Sequence, residues 1–264
     1  MIFYFSGTGN TKWVAEQISQ AIGERLISIP DAMRRQEFIY DVEEEETIGF
    51  CFPTHGWQPP RIVMDFIKLL SINYPETVEN SYGWALTTCG DNMGEAMTIF
   101  NKELIRQGLE ASTQFAVVMP ESYVCLPFMK TDPIEKERRK IAAVRQQLPH
   151  IISTIRAQKE YVIELVKGAT PRLYSYVLGA YFNAKMVNDK KFTVDADVCI
   201  HCGKCQKVCP VDNIKGIPPE WLHNGRCTSC LACYHYCPVH AINCGRITRK
   251  REQYYFNRRG DQKS

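Results

Sequence analysis

Short apolar runs alternate along the first 120 residues with stretches whose apolar positions recur every three or four residues. Ile2-Phe3-Tyr4-Phe5 is one such run, and residues 25–29, 47–52, 82–87 and 112–119 are the others. Uninterrupted apolar runs this short mark strands covered on both faces. Between them, Trp13, Val14, Ile18, Ala21 and Ile22 share one face of a helix that Gly23 stops. Residues 31–37 form a short helix. Ile62, Val63, Phe66, Ile67 and Leu70 define a helix over 60–70, with Pro60 suited to its first turn. A fourth helix spans 92–107 and closes at Gly108. The charge run at Glu43–Glu46 reads as a solvated turn without a role. Strands alternating with helices predict an α/β fold with a doubly wound, five-stranded parallel sheet.

Beyond residue 130 the pattern turns helical. Residues 133–148 and 149–167 carry long polar-rich helical stretches, with Pro149 expected to kink or divide them. Thr170-Pro171 suits a cap and first turn. Leu173, Tyr174, Val177, Leu178, Tyr181 and Phe182 then form an apolar stripe, which reads as a domain-packing face rather than a membrane-surface face. No Gly/Ser-rich linker follows, so the two halves are expected to be docked. No apolar run approaches 18 residues and the N-terminus has no signal-peptide pattern, so a cytoplasmic protein without a membrane span is expected.

Length and composition change the picture at one place. A chain of 264 residues with 45% apolar content suits one large or two modest domains. Eight of its 12 cysteines fall in two runs, CIHCGKCQKVCP and CTSCLACYHYCP, repeating at an interval of 28 residues. Each run reads C-x2-C-x2-C-x3-C-P: Cys199, Cys202, Cys205 and Cys209, then Cys227, Cys230, Cys233 and Cys237. Three thiolates two residues apart wrap three corners of a four-iron cube, and the fourth cysteine of each run reaches the other cube. The sets are then Cys199, Cys202, Cys205 with Cys237, and Cys227, Cys230, Cys233 with Cys209. Zinc sites present separated C-x2-C pairs and explain a third cysteine poorly. A disulfide scaffold would not repeat this spacing. Cluster ligands must stay thiolates, which implies a reducing compartment. Cys51, Cys89, Cys125 and Cys244 read as buried small apolar groups.

The net charge of +3 conceals an asymmetry: residues 191–264 carry +6 and residues 1–190 carry −3. Anionic clusters offset part of the basic end, so the charge does not indicate nucleic-acid binding. His201 and His235 flank cysteines but are not needed as ligands. The basic tail from residue 247, with Tyr254, Tyr255 and Phe256, is expected to wrap back on the protein rather than to dock an acidic partner.

The first strand leads straight into Ser6-Gly7-Thr8-Gly9-Asn10-Thr11 and then a helix. Converging N–H groups, hydroxyls and a helix N-terminus make an anion site. Without lysine it is not the nucleotide P-loop, and it is not G-x-G-x-x-G. The S-G-T-G-N-T pattern resembles the flavodoxin phosphate loop. That resemblance implies FMN, a strand order 2-1-3-4-5, and a ligand at the strand carboxyl ends. It directs attention to Pro53-Thr54-His55-Gly56-Trp57 and Thr88-Cys89-Gly90-Asp91-Asn92, the two loops that flank the flavin in flavodoxins. Trp57 is the natural stacking group, while His55 reads as a loop hydrogen-bonding residue. Flavodoxins often place a tyrosine in the second loop. Here Asp91-Asn92-Met93 stands instead, so the second flavin face is either open or covered by Tyr123.

Taken together, the chain resembles the bacterial flavodoxin–ferredoxin fusion proteins. The resemblance implies a flavodoxin-like FMN domain at 1–165, a connecting helix at 166–190 and a small α+β bacterial ferredoxin-like domain with a basic tail at 191–264. The implied function is electron transfer between two 4Fe–4S clusters and FMN and on to redox partner proteins, interconverting one- and two-electron steps. The alternative is a flavin-dependent reductase of a small acceptor such as a quinone. Oligomeric state is not legible.

Overall fold

A computed structural model describes residues 1–76 and 81–260. The order is β1 (Ile2–Tyr4), α1 (Asn10–Ile22), β2 (Leu26–Ser28), α2 (Ile29–Arg35), β3 (Ile39–Asp41), β4 (Ile48–Pro53), α3 (Arg61–Leu69), β5 (Ser71–Asn73), β6 (Gly83–Cys89), α4 (Ala96–Arg106), β7 (Thr113–Val118), α5 (Ile134–Arg156) and β8 (Ile163–Glu164). The main sheet is parallel throughout, in the order β2-β1-β4-β6-β7-β8. Its first five strands have the flavodoxin-like order. The fold is α/β and flavodoxin-like, followed by a small α+β unit.

Alternation along each strand builds two cores. Phe3, Phe50, Phe52 and Ala85 face Phe66 and Phe100 on one side. Ile2, Cys51, Trp84, Leu86 and Phe115 face Val14, Ile18, Val144 and Ile151 on the other. Two covered faces explain why the strands read as continuous apolar runs rather than as alternating ones.

Several expectations need correction. The sheet has six strands, not five, because the chain turns at Gln158 and Tyr161, both with positive φ, and adds β8 beside β7. The stretch 149–167 is therefore not one helix. Pro149 does not break α5, which runs unbroken from Ile134 to Arg156. Leu148 and Ile151 are buried on either side of it while Pro149 faces outward, so packing holds the helix where propensity would end it. A separate parallel ribbon, β3 with β5, was not expected. Glu46 is not idle: it pairs with the N-terminal ammonium at 2.8 Å and with Arg25 at 2.9 Å.

The helix that follows also differs. A first turn, α6 (Pro171–Leu173), runs into wide π-helical turns over Tyr174–Gly179 and Phe182–Met186. Its buried residues are Ser175 and Gly179, while Leu173, Val177, Leu178 and Tyr181 of the expected packing stripe are exposed. Small residues let this helix approach closely. Ser175 Oγ donates to Trp57 O and accepts from Glu95 N, and a Cβ on Gly179 would stand 2.3 Å from Gly56 O.

The C-terminal part contains β9 (Phe192–Val194), α7 (Lys204–Lys207), β10 (Ile214–Lys215), β11 (Glu220–Trp221), α8 (Ala232–His235) and β12 (Ile242–Cys244). β9 pairs with β12 and β10 with β11, both antiparallel. The 28-residue repeat is a repeat of conformation. α7 matches α8, β10 matches the start of β12, and positive φ recurs at His201 and Ser229, Gly203 and Leu231, and Asp212 and His240. The two parts are docked. Arg34 bonds Asp212 at 2.9 Å and Cys209 O at 2.9 Å, and Arg61 bonds Gly225 O at 2.8 Å.

Candidate functional site

At the carboxyl end of the sheet lies a cavity of about 470 Å³, within the range of about 300–1,000 Å³ that small-molecule sites occupy. Every residue expected there from the three loops lines it except Gly9, which faces the neighbouring groove beside Trp13. Thr88 and Cys89 reach it from the end of β6 rather than from a loop, and Pro53 from the end of β4. Three further groups of lining residues escaped the sequence reading: Glu121 and Leu126 after β7, Phe182 and Met186 from the π-helical segment, and Thr228–Leu231 from the second cysteine run. The first group follows from the rule that ligands sit at strand carboxyl ends. The other two depend on docking and carry no local signal.

In the first loop, Gly9 has φ 95° and caps α1, and Gly9 N donates to Ser6 Oγ at 3.1 Å. The unpaired first-turn N–H groups of a helix begin there. Asn10 is engaged by the protein on both sides: Nδ2 donates to Pro120 O at 3.0 Å and Oδ1 accepts from Tyr254 at 2.5 Å. Thr11 and Thr88 share a hydroxyl hydrogen bond of 2.8 Å. Gly7 lies against the second cysteine run, where an added Cβ would stand 2.9 Å from Cys230 Cβ.

In the second and third loops the glycines make room for side chains. A Cβ on Gly56 would stand 2.4 Å from the Phe182 ring, and one on Gly90 would stand 2.1 Å from Glu121 Oε2. Trp57 stacks on Tyr174 at 5.1 Å, and Tyr123 meets Phe182 edge-on at 5.3 Å. Burial pushes the His55 imidazole down to about 4, with a hydrogen bond to the Thr228 backbone opposing, so it is neutral at pH 7. Burial raises Glu121 despite hydrogen bonds from the Tyr123 and Ser122 N–H groups. Lys140 braces the loop after β6, donating to Gly90 O and to Asp132, both at 2.6 Å. Asn92 Oδ1 is buried in the cavity wall without a hydrogen-bond partner among the described residues.

The cysteines of the two runs intermingle. Cys199, Cys202, Cys205 and Cys237 line one small cavity with Ile217, Pro238 and Ile242. In the other group, burial first and then the charges of Cys230, Cys227 and Cys209 push Cys233 well up. Burial likewise brings Cys227 up to about 12, with Cys230 and Cys209 adding to it. Backbone N–H groups point at the sulfurs: Asn213 to Cys209 at 3.3 Å, Ser229 to Cys227 at 3.4 Å and Ala241 to Cys237 at 3.2 Å. Such bonds favour thiolate. Among the described residues no three His, Cys, Asp or Glu side chains gather around one ion position; a four-iron cube spreads its thiolates over a larger body. His201 is exposed. His235 is buried, donating to Ser122 O at 2.6 Å and accepting from Tyr254 N at 3.0 Å, which ties this region to the sheet and the tail.

The tail folds back. Phe256 N donates to Thr8 O at 2.8 Å, and the Phe256 ring stacks on Trp13 at 4.9 Å. Residues 261–264 lie outside the described part. Among the described residues no helix is long and apolar enough to cross a membrane.

Residues 191–238 match a family described as a 4Fe-4S dicluster domain, and residues 159–213 match a second family of the same description. No curated protein matches the chain. Solved structures that resemble it include the Trp repressor binding protein from Bacillus subtilis, at 16% identity and a TM-score of 0.34, covering 56% of this chain and 95% of that one. Another is a candidate flavoprotein from Bacteroides uniformis, at 16% identity and a TM-score of 0.29, covering 45% and 88%. The fold assignment rests on the sheet order instead. The chain joins a flavodoxin-like α/β sheet to a region that matches 4Fe–4S dicluster domains, which supports an iron–sulfur electron-transfer role.

Proposed function

We propose that the chain carries electrons between two 4Fe–4S clusters and an FMN held in the cavity, and on to redox partner proteins. The proposed units are 1–165 for the flavin, 166–190 as the connecting helix and 191–264 for the clusters. The observation that carries the reading is the approach of Gly7 to Cys230: residues 228–231 of the second cysteine run form one wall of the cavity. A ligand there lies beside a cluster-binding loop with no intervening domain to cross.

The residues suit these groups. Hydroxyls of Ser6, Thr8 and Thr11 with the N-terminus of α1 fit a phosphate. The Asn92 side chain lies in the same wall, its Oδ1 buried against Gly168. Cys209 with Cys227, Cys230 and Cys233, and Cys237 with Cys199, Cys202 and Cys205, would hold the two clusters. A cluster moves one electron and a flavin one or two, so the combination links single- and paired-electron steps. The protein's share is to hold the centres close, to donate N–H bonds to the sulfurs and to exclude water.

Reduction of a small acceptor such as a quinone is a second reading, favoured by the apolar rim of the cavity, where Phe128 is 79% and Tyr181 64% exposed. Anaerobic purification is the test. About eight irons, as much sulfide and one FMN per chain are expected. Tightly bound zinc, or protein that takes up no FMN, would overturn the proposal. Oxidation of the reduced protein by quinones but not by carrier proteins would select the second reading.

A further inference from the structure

The helix after Pro171 spends few of its apolar side chains on packing. Ser175 and Gly179 are its buried residues, and Tyr174 and Phe182 lie against Trp57 and Tyr123. Leu173, Tyr176, Val177 and Tyr181 are each more than half exposed. Leu173, Val177 and Tyr181 stand four residues apart with Tyr176 beside them, so they form one outward ridge. The ridge runs into the rim of the cavity. Leu178 and Tyr181 line that rim together with the largely exposed Phe128, from the segment after β7. Apolar exposure that joins two segments in this way exceeds scattered surface residues and marks an interaction site.

The charge along the ridge has one sign. Residues 165–188 contain Lys167, Arg172 and Lys185 and no Asp or Glu. Lys167 is paired with Glu95 at 3.0 Å, and Arg172 lies within electrostatic reach of the same carboxylate. Arg172 and Lys185 are exposed at the two ends of the ridge, and Lys130 is exposed two residues after Phe128. The acids of the cavity wall are Asp91, which is exposed, and Glu121, which accepts from the Ser122 and Tyr123 N–H groups. Cations flanking apolar and tyrosine side chains are the make-up of a helix lying in a lipid interface, where tyrosine rings sit among the headgroups. A second copy related by a two-fold axis would instead set Arg172 and Lys185 against their own counterparts.

We infer that this ridge and the cavity rim seat the protein on the surface of an anionic lipid bilayer. Leu173, Val177 and Phe128 enter the headgroup region, and Arg172, Lys185 and Lys130 reach lipid phosphates. The helix lies on the surface and is not one that could cross it. Seated so, the exposed rim of the cavity meets the lipid, and an acceptor dissolved there would reach the cavity without passing through water. That consequence rests on the second reading of the function, reduction of a small acceptor. The binding itself requires neither flavin nor iron.

The test uses full-length protein purified anaerobically with its iron. It is mixed with vesicles of phosphatidylcholine alone, or of phosphatidylcholine with phosphatidylglycerol, and bound protein is measured by flotation. Retention on the anionic vesicles that falls with added salt is expected, with little on the neutral ones. Lys185→Ala should weaken retention about fivefold, and Val177→Asp should abolish it, both at unchanged iron content. Ile39→Asp, which alters an exposed apolar residue on the β3–β5 ribbon, should bind as wild type. The inference is overturned if wild-type protein floats with neither vesicle or equally with both, or if Val177→Asp binds as wild type. A concentration-dependent dimer that Val177→Asp breaks, without vesicle binding, would also overturn it and assign the ridge to a second copy. Protein that floats on anionic vesicles yet reduces no quinone upholds the inference and sinks the second reading alone. The wild-type comparison of the two vesicles decides even where a variant fails to fold.

Discussion

A Cβ placed on Gly7 would stand 2.9 Å from both the Cβ and the carbonyl oxygen of Cys230. A loop at the first strand and a cysteine 223 positions later are thus at van der Waals contact, and only glycine leaves room for it.

Gly7→Ala should therefore disturb both halves of the protein. The obstacles are a short side chain and a backbone carbonyl, neither of which swings away, so overpacking of about 1–3 kcal/mol is expected. Urea unfolding followed by tryptophan fluorescence should show the lowered midpoint, with iron and flavin retention falling together. Unchanged stability would mean that the loop and the cysteine run are not in contact.

The grouping of the cysteines predicts how iron is lost. Cys199→Ala with Cys237→Ala removes two ligands from one set and should leave about four irons. Cys199→Ala with Cys209→Ala touches both sets and should leave fewer. If each run held its own cluster, the order of the two double variants would be reversed.

Asp132 predicts an acid limit. Burial by itself would raise its carboxyl, but hydrogen bonds from Lys140, Lys136 and Glu121 N, with the Lys140 charge, hold it below the ordinary range. A carboxyl lowered in the folded state contributes stability above its unfolded value of about 3.9, and that contribution disappears as pH falls through the lower folded value. Asp132→Asn leaves Lys140, 9% exposed, without its counter-ion. A loss of about 3–5 kcal/mol at pH 7 is expected, shrinking toward the wild-type value in acid. Parallel denaturation curves between pH 7 and 3 would check it.

Phe256→Ala tests the tail. It removes the stack on Trp13, worth about 0.5–1.5 kcal/mol beyond buried area, while the Tyr254 hydrogen bond to Asn10 remains. Tryptophan emission should shift to longer wavelength, and proteolysis should reach the tail sooner. A tail that is already loose in solution would show neither change.

Much of the fold was legible. Ile2–Phe5 and the four similar runs are strands because a doubly covered sheet demands apolar residues on both faces. What local reasoning missed has a common cause. Pro149 continues a helix because Leu148 and Ile151 are held against the sheet. The helix after Pro171 docks on Ser175 and Gly179, since small residues admit close backbone approach, while Leu173, Val177, Leu178 and Tyr181 of the apolar stripe are exposed and Tyr174 and Phe182 pack inward. Glu46 was read as solvated because its partner, the chain's own ammonium, lies far away in sequence.

The sequence by itself determined the two cysteine runs, their expected grouping and the loops that line the cavity, because these depend on spacing within short motifs. Tertiary structure alone decided that residues 228–231 wall the cavity and that Gly7 abuts Cys230. Each of these joins residues brought together only when the C-terminal part and its tail pack onto the carboxyl end of the sheet. Periodicity and spacing describe a chain's neighbours along its length, whereas close approach between distant segments is set by the side chains that leave room for it.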